Sequence, residues 1–333
     1  MSKILITGVA GLLGSHFADH LIGKKHTIIG VDNLSGGYLD NVHKDVIRKK
    51  NFYKIDLVDA KALEKIFIKH KPDYVYHFAA YAAEGLSPFI RNYNYMNNLM
   101  SSVNLINNCI KYDVKKIIFT SSMAVYGVGK PPFTETQVPS PVDPYGIAKY
   151  AVEMDIHQAF EQFGLKYNIV RPHNVVGVRQ NIWDKYRNVI GIWIRQSLAG
   201  ENLTIYGDGL QKRAFSDIEF YMTPFEKLMS GHDNEIFNIG ADKEFKIKTI
   251  AELVQKVARN YGYDPKIIHL EPRHEVKIAY SDHTKAKKLL KFKDNTHIEK
   301  TIHDMFVWAM KQPKRATKKM KYEVDKDIYS FWK

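Results

Sequence analysis

Cysteine and long hydrophobic runs are the two things this sequence most clearly lacks. Cys109 is the only cysteine among 333 residues, which excludes an internal disulfide framework and a cysteine-based zinc site. We predict no metal site. No apolar stretch approaches the roughly 18 residues of a membrane-spanning helix, so no membrane partner is expected. The sequence therefore favours a reducing compartment, and we expect a cytoplasmic protein.

Acidic residues are too few to balance the basic ones, and the net charge is +13. Residues 283–333 hold 14 Lys and Arg against 6 Asp and Glu. Such a basic stretch can bind nucleic acid or a membrane surface. The simpler interpretation, a solvated lysine-rich face, is the one we favour, so nucleic acid is not an expected partner. A positive field also suits an anionic substrate.

Short apolar strands alternate with amphipathic helices over the first half of the chain. Strands are predicted at 3–8, 26–32, 51–56, 73–80, 115–122 and 166–172, with helices at 12–22, 61–70, 93–112 and 145–163. This alternation is typical of a parallel sheet that is covered by helices on both faces. After Pro172 the rhythm changes, with helices predicted at 189–198, 247–261, 283–290 and 298–311 and a short strand and turn at 203–209.

A glycine-rich turn follows the first strand. In TGVAGLLG, the residues Gly8, Gly11 and Gly14 stand between a strand and a helix, where glycine lets the backbone approach a diphosphate. The spacing is GxxGxxG and not the commoner GxGxxG. The second strand ends in Asp32, where an acid binds the ribose hydroxyls of NAD and repels the 2′-phosphate of NADP. Together the two features predict an NAD site, although a structural turn and a surface Asp would look similar.

A possible proton-transfer group lies further along the chain. Tyr145 and Lys149 are four residues apart after a helix start at Asp143 and Pro144, so both side chains share a helix face. Ser122 ends the fifth strand, and ligands of parallel sheets bind beyond strand ends. A lysine beside a tyrosine favours the phenolate, which can act as a base. Alone, the spacing also fits a surface cation beside a core aromatic residue.

The combined motifs resemble the extended short-chain dehydrogenase/reductases of the NAD-dependent sugar epimerase/dehydratase family, over about Lys3 to Leu290. They are TGxxGxxG, Asp32, Asp56-Leu57, FAA at 78–80, Ser122, the Tyr145–Lys149 pair, RPHN at 171–174 and GDGLQKRAF at 207–215. Within the family they are most similar to 4-epimerases of UDP-glucose and UDP-N-acetylglucosamine. The resemblance implies a doubly wound α/β Rossmann domain at 1–172, to which a segment near 214–240 returns. It also implies a smaller, discontinuous α/β lobe within 173–333 that binds a nucleotide sugar.

The resemblance assigns roles to residues. Ser122, Tyr145 and Lys149 are the expected catalytic residues, with Tyr145 as the base, Lys149 as the group that tunes it and Ser122 as the partner of the sugar oxygen. The residues expected to hold NAD are Gly8, Gly11, Leu12, Leu13, Gly14, Asp32, Asn33, Asp56, Leu57, Phe78, Ala79, Ala80, Asn97, Thr120, Tyr145, Lys149 and Pro172. The residues expected to hold the nucleotide sugar are Glu84, Ser122, Asn174, Asn188, Val189, Thr204, Tyr206, Arg213, Arg273, Glu275 and Ala279.

The residues after Ser122 bear on the reaction. The resembled dehydratases carry an Asp-Glu pair there, and the 3,5-epimerases carry a cysteine, whereas this chain has Met123-Ala124. We therefore expect a 4-epimerase that keeps its NAD and favours a UDP-sugar. Glu84 and His173 leave 2- or 5-epimerisation open, although a helix start and a packed histidine are simpler interpretations. A nucleotide-sugar reductase and a non-catalytic dinucleotide-binding protein also stay open at this point.

The helices predicted at 93–112 and 145–163 carry apolar residues on more than one face, including Met96, Val103, Ala151 and Met154. Helices of this kind are buried on more than one face. The corresponding helices of the resembled family form a four-helix interface between two subunits, so we expect a two-fold symmetric homodimer.

Overall fold

A seven-stranded parallel sheet lies at the centre of the molecule. The computed structural model describes residues 1–273, 278–317 and 319–332. The strands in these residues are β1 (Lys3–Thr7), β2 (Thr27–Asp32), β3 (Phe52–Lys54), β4 (Tyr74–His77), β5 (Lys116–Thr120), β6 (Tyr167–Pro172), β7 (Val175–Val176), β8 (Leu203–Tyr206), β9 (Lys212–Ala214), β10 (Ser216–Asp217), β11 (Glu235–Ile239), β12 (Glu244–Lys246), β13 (Ile267–Leu270) and β14 (Ile278–Ala279). The central sheet has the order β3-β2-β1-β4-β5-β6-β11. The direction of winding reverses between β1 and β4, and such a switch point is where ligands bind in open α/β sheets.

Helices cover both faces of the sheet, which confirms the predicted doubly wound fold. The helices are α1 (Leu12–Gly23), α2 (Lys44–Arg48), α3 (Ala60–His70), α4 (Arg91–Tyr95), α5 (Ser101–Lys111), α6 (Pro144–Phe163), α7 (Val189–Leu198), α8 (Met222–Lys227), α9 (Ile247–Arg259), α10 (Thr284–Leu290) and α11 (Ile298–Met310). Side chains of α1, α8 and α10 form the core on one face, and those of α3, α5 and α6 form the core on the other. In the part of the chain that the structure describes, no helix is both long and apolar enough to cross a membrane.

The side chains of a central strand divide between the two cores. In β1, Ile4 and Ile6 belong to the core with α1, whereas Leu5 belongs to the core with α3, and all three are fully buried. Successive side chains of a strand point to opposite faces. A strand that is covered on both faces must therefore be apolar at every position, which explains the continuous apolar runs in the sequence.

A smaller α/β lobe follows the main sheet, as predicted. Strand β8 pairs with β13, and β9 lies between β12 and β14. Helices α7, α9 and α11 enclose a third core that contains Trp193 and Phe306. Strand β11 leaves this part of the chain and pairs with β6 at the edge of the main sheet. The boundary at residue 172 remains a prediction.

The long helix that was predicted over 93–112 is less regular than expected. It consists of α4, a π-helical segment at Met96–Met100, and α5. Polar side chains bind the carbonyl groups of this helix: Asn97 Nδ2 donates to Tyr93 O at 2.8 Å, and Ser101 Oγ donates to Asn97 O at 2.6 Å. Such bonds compete with the regular helical pattern. π-Helical turns are frequent at functional sites, and this one carries Asn97 into the wall of the cavity described below.

Candidate active site

Two glycines of the turn between β1 and α1 have no room for a side chain. Gly8 has a φ of +71°, in the left-handed region that favours glycine. A Cβ atom on Gly14 would lie 2.2 Å from the carbonyl oxygen of Gly8. The backbone of the turn and the N-terminus of α1 are therefore exposed to the cavity, and this arrangement suits a diphosphate.

Asp32 stands at the end of the neighbouring strand, β2. Its Oδ2 accepts a hydrogen bond from Ala10 N at 2.9 Å, and its Oδ1 accepts one from Leu34 N at 2.7 Å. Burial raises the pKa of Asp32, and the two backbone hydrogen bonds oppose that rise. The carboxylate is thus fixed in orientation at the wall of the cavity, where ribose hydroxyl groups could donate to it.

One cavity of about 900 Å³ joins the glycine turn, the end of β5 and the smaller lobe. It is lined by all the residues that the sequence analysis assigned to NAD or to the nucleotide sugar, except Glu275, which lies outside the described residues. Residues from β1 to β14 thus converge on one site, although their individual roles remain predictions.

An unpartnered hydroxyl group near the end of β5 also suggests that this cavity binds a ligand such as a dinucleotide. The hydroxyl group of Thr120 is buried and has no hydrogen-bond partner within the described residues. Thr120 lines the cavity beside Lys149. A buried polar group without a partner is costly, so a polar atom of a bound ligand would satisfy it.

The first turn of α6 positions Tyr145. Asp143 caps the helix by accepting a hydrogen bond from Gly146 N at 2.9 Å, and Pro144 is the first helical residue. Burial raises the pKa of Tyr145 above its ordinary value, and the carboxylate of Glu84 raises it further. The nearby hydroxyl of Ser122 lowers it. The serine and tyrosine that were predicted to act together therefore line the same cavity.

Lys149 lies one turn further along α6 and is buried. Its Nζ donates to Thr120 O at 2.8 Å and lies 5.9 Å from the centre of the Tyr145 ring. Burial lowers the pKa of Lys149 to about 7, and the carboxylate of Glu153 opposes this effect. The tuning of Tyr145 by Lys149 remains a prediction.

A buried ion pair lies behind the residues that are predicted to be catalytic. Arg171 Nη2 lies 2.5 Å from Glu153 Oε2, and both side chains are at most 4% exposed. Glu153 also accepts a hydrogen bond from Ser121 Oγ at 2.5 Å. The pair connects β6, α6 and the end of β5, so it fixes the strand end that carries Ser122 relative to the helix that carries Tyr145.

The opposite wall comes from the smaller lobe. Asn174 Nδ2 donates to Ala214 O at 2.9 Å. The guanidinium carbon of Arg273 lies 3.9 Å from the centre of the Tyr206 ring, and such stacking is typical of arginine. In the pairing of β14 with β9, Ala279 lies beside Arg213. Arg213, Arg273 and Tyr206 all line the cavity from the smaller lobe.

Glu84 and His173 differ in their surroundings. Glu84 is exposed and begins a 3-10 helix, Glu84–Phe89, although it also lines the cavity. His173 is buried, and its Nε2 lies 2.9 Å from Nε2 of His283. Burial lowers the pKa of His173 to about 3, and His283 lowers it further. A neutral, packed His173 agrees with the simpler interpretation of that residue.

Several lining residues were not predicted. Tyr81 and Arg187 face the cavity from two loops, and Tyr329 and Phe331 reach it from the last described segment of the chain. The position of Arg187, directly before Asn188, is a local signal that could have been used. The two tail aromatics have no such signal, since they reach the cavity only because Trp332 is buried against Tyr186 and Phe89.

Comparison with known proteins agrees with this geometry. The profile of the NAD dependent epimerase/dehydratase family matches residues 4–240. A UDP-glucose 4-epimerase of Caenorhabditis elegans is 29% identical over 348 residues, covering 93% of this chain and 98% of that protein. The structure of a Thermotoga maritima UDP-glucose 4-epimerase with UDP-glucose has a TM-score of 0.85 and 34% identity, covering 93% of this chain and 99% of that one. The structure of a Methanobrevibacter ruminantium UDP-N-acetylglucosamine 4-epimerase with UDP-N-acetylmuramic acid has a TM-score of 0.82 and 31% identity, covering 93% and 98%. The chain belongs to the NAD-dependent epimerase/dehydratase family of enzymes.

Proposed function

We propose that the chain is a 4-epimerase of UDP-hexose or UDP-N-acetylhexosamine that keeps its NAD bound. One observation carries the choice of reaction. Ser122 and Tyr145 line the cavity together, whereas the next residues, Met123 and Ala124, line the same cavity without an ionisable group. An oxidation at a sugar hydroxyl therefore has its base, whereas the two positions after Ser122 offer no acid or base for a dehydration.

The choice of UDP rests on the relatives. The similar Thermotoga structure contains UDP-glucose, and the similar Methanobrevibacter protein is a UDP-N-acetylglucosamine 4-epimerase. Arg213 and Arg273, on the same wall of the cavity as Tyr206, suit a diphosphate beside a planar base, because guanidinium groups bind phosphate oxygens through two hydrogen bonds.

Each of the predicted catalytic residues has a separate role in the proposed reaction. Tyr145 removes the proton of the C4 hydroxyl, and Ser122 binds the same oxygen as it becomes a carbonyl. Bound NAD supplies a reversible hydride acceptor for C4. Lys149 provides a positive charge that favours the phenolate form of Tyr145. After the 4-keto sugar has turned about its diphosphate, Tyr145 returns the proton to the oxygen on the inverted carbon.

The substitution Tyr145→Phe tests this assignment. We expect kcat to fall at least about a hundredfold, the usual scale for a positioned acid or base, while UDP and NAD still bind. Tyr150→Phe, on the same helix but outside the cavity lining, is the matched control and should keep its rate. Near-wild-type turnover in Tyr145→Phe would show that Tyr145 is not the base.

Product analysis separates the proposed reaction from competing ones. NMR of wild-type reactions in deuterium oxide should show inversion at C4 without deuterium at carbon, since the hydride returns to the atom it left. Deuterium at C2 or C5 would instead indicate proton abstraction, with Glu84 as the first candidate. Consumption of NADPH would indicate a reductase, and a lack of turnover on every sugar nucleotide would favour a non-catalytic binding protein.

We further propose a cytoplasmic homodimer. The apolar side chains of Met100, Ile147 and Met154 are 43%, 43% and 52% exposed, the first in the π-helical segment and the other two on α6. Ile147 and Met154 are seven residues apart, so they share a helix face, and a second copy could cover it. Light scattering at micromolar concentration should give the mass of a dimer, and Met154→Glu should shift it toward that of a monomer. A monomeric wild type would contradict the proposal.

The single thiol, Cys109, is buried and agrees with a reducing compartment.

A further inference from the structure

Arg187 has no role in the function proposed so far, yet its guanidinium is held firmly at the wall of the cavity. Its Nε donates to Asp184 Oδ2 at 2.8 Å, and the two side chains are 11% and 4% exposed. The guanidinium carbon also lies 4.6 Å from the centre of the Tyr81 ring. Within the described residues its hydrogen-bond acceptor is Asp184, through Nε, so both terminal NH₂ groups are available to a ligand.

The side chain of Arg187 crosses from the segment before α7 to the loop that follows β2. A Cβ atom on Gly36 would lie 2.3 Å from Nη2 of Arg187, so the guanidinium rests directly against this glycine. The next residue, Gly37, packs on the glycine turn, since a Cβ there would lie 2.8 Å from Gly11 N. Arg187 is therefore placed beside the glycine turn, on the side that the smaller lobe supplies.

Two titratable groups at opposite ends of the cofactor site both respond to Arg187. Burial raises the pKa of Asp32, and the Arg187 charge is one of the effects that oppose the rise. Burial likewise raises the pKa of Tyr145, and the Arg187 charge again acts in the opposite direction. Arg187, Asp32 and Tyr145 all line the same cavity, so the charge of Arg187 reaches both of these expected ligand-binding residues.

A dinucleotide that extends from Asp32 to Tyr145 has its diphosphate in the middle. We infer that Arg187 binds the diphosphate of NAD from the side that the smaller lobe supplies. A guanidinium that is fixed through Nε presents its terminal NH₂ groups as a fork for phosphate oxygens. This inference rests on the proposed function, because it explains how an epimerase of this kind would retain its NAD.

The position of Arg187 in the sequence would also link the binding of NAD to the binding of the nucleotide sugar. Asn188 and Val189, which follow at once, line the cavity and are predicted to hold the nucleotide sugar. One segment would thus touch both ligands. Binding of the nucleotide sugar would order that segment and slow the loss of NAD, since two ligands that order the same segment reinforce each other.

The test compares NAD retention among purified variants. Arg187→Met removes the guanidinium, and Arg187→Lys keeps a charge without the fork and also covers the case in which the Met variant does not fold. Arg179→Met is the matched control, because Arg179 Nη2 also joins the two parts of the molecule, by an ion pair to Asp19 at 2.7 Å, but does not line the cavity. The readouts are the NAD released per protomer on denaturation, the rate of NAD loss after dilution, and the affinity for UDP.

We expect NAD to dissociate about tenfold to a hundredfold faster from Arg187→Met, the scale of a lost charge-assisted hydrogen bond. Arg187→Lys should be intermediate, and Arg179→Met should match the wild type. UDP affinity should change less than about twofold. Wild-type NAD retention in both Arg187 variants would overturn the inference, as would a loss confined to UDP, which would place the substrate diphosphate there. A wild type that purifies without NAD and consumes NADPH would instead contradict the proposed function.

Discussion

The two walls of the cavity are built in different ways. The wall that is predicted to hold NAD, called the cofactor wall below, consists of residues at the ends of adjacent parallel strands. Its shape is set by the backbone, because Gly8 and Gly14 leave no space for a Cβ atom. The wall that is predicted to hold the nucleotide sugar, called the nucleotide-sugar wall below, is assembled from segments far apart in sequence. Among them are Tyr206, Arg273 and Phe331, which meet through side chains. Small changes should therefore disable the first wall, whereas the second should adjust by changing which substrates it accepts.

The largest effect is expected in the cofactor wall, from Gly14→Ala. The added Cβ would lie 2.2 Å from Gly8 O and 2.8 Å from Val9 Cα, and backbone atoms cannot move aside without opening the turn. Overpacking of this kind costs about 1–3 kcal/mol. We expect a lower free energy of unfolding in thermal or urea melts and little NAD in the purified protein.

Gly23→Ala is the matched control, since it lies at the other end of α1 and a Cβ there meets no atom within 4 Å. Alanine is the better helix former by about 1 kcal/mol, so this variant should be at least as stable as the wild type. Equal losses of NAD in both variants would mean that α1 as a whole, and not the close approach at Gly14, controls binding.

The same difference between the walls explains what the sequence could predict. The strands from β1 to β6 follow from their apolar runs, and the glycine turn and Asp32 lie next to each other in the fold because parallel strands end at one edge. The DPYG start of α6 follows from a capping Asp and a Pro at the first position. These are local signals, and they place the cofactor wall and the Ser122–Tyr145 pair.

Other features depend on contacts between distant residues. The π-helical turn at Met96–Met100 reflects side chains that bind helix carbonyls, and hydrophobic periodicity does not report such bonds. Strand β11 was expected only as a returning segment, because its pairing with β6 is made across more than sixty residues. Arg187 and Phe331 lie in segments without a pattern, and only the packing of Tyr81, Gly36 and Trp332 brings them to the cavity.

On the nucleotide-sugar wall, Ala279→Tyr should change specificity more than stability. Ala279 lines the cavity beside Arg213. The resemblance to 4-epimerases implies that a residue at this position lies against C2 of the sugar. A tyrosine there would occupy the space of an N-acetyl group, at a cost of about 1–3 kcal/mol. We expect kcat/KM for UDP-N-acetylglucosamine to fall about tenfold to a hundredfold, with a smaller change for UDP-glucose.

The neighbouring Ile278→Tyr provides the control, because alternate residues of a strand face opposite sides and Ile278 is 43% exposed and outside the cavity lining. It should leave the ratio of the two substrates unchanged. An equal loss of both substrates in Ala279→Tyr, or a wild type that never turns over the N-acetylated sugar, would show that Ala279 does not set this specificity.

The smallest effect is expected at the far end of the chain, from Phe331→Ala. The Phe331 ring meets the Tyr206 ring edge-on, with centres 6.2 Å apart, and is 37% exposed. The segment is held in place because Trp332 is buried and its carbonyl oxygen accepts a hydrogen bond from Tyr322 Oη at 2.7 Å. Loss of one aromatic contact is worth about 0.5–1.5 kcal/mol. We expect KM for the nucleotide sugar to rise by about twofold to tenfold with kcat unchanged, since the contact would hold the base equally in substrate and transition state.

Phe163→Ala, at the exposed end of α6, is the control and should change neither constant. A fall in kcat at constant KM would show instead that Phe331 affects the part of the site where the reaction takes place. The nucleotide-sugar wall would then extend as far as Tyr145.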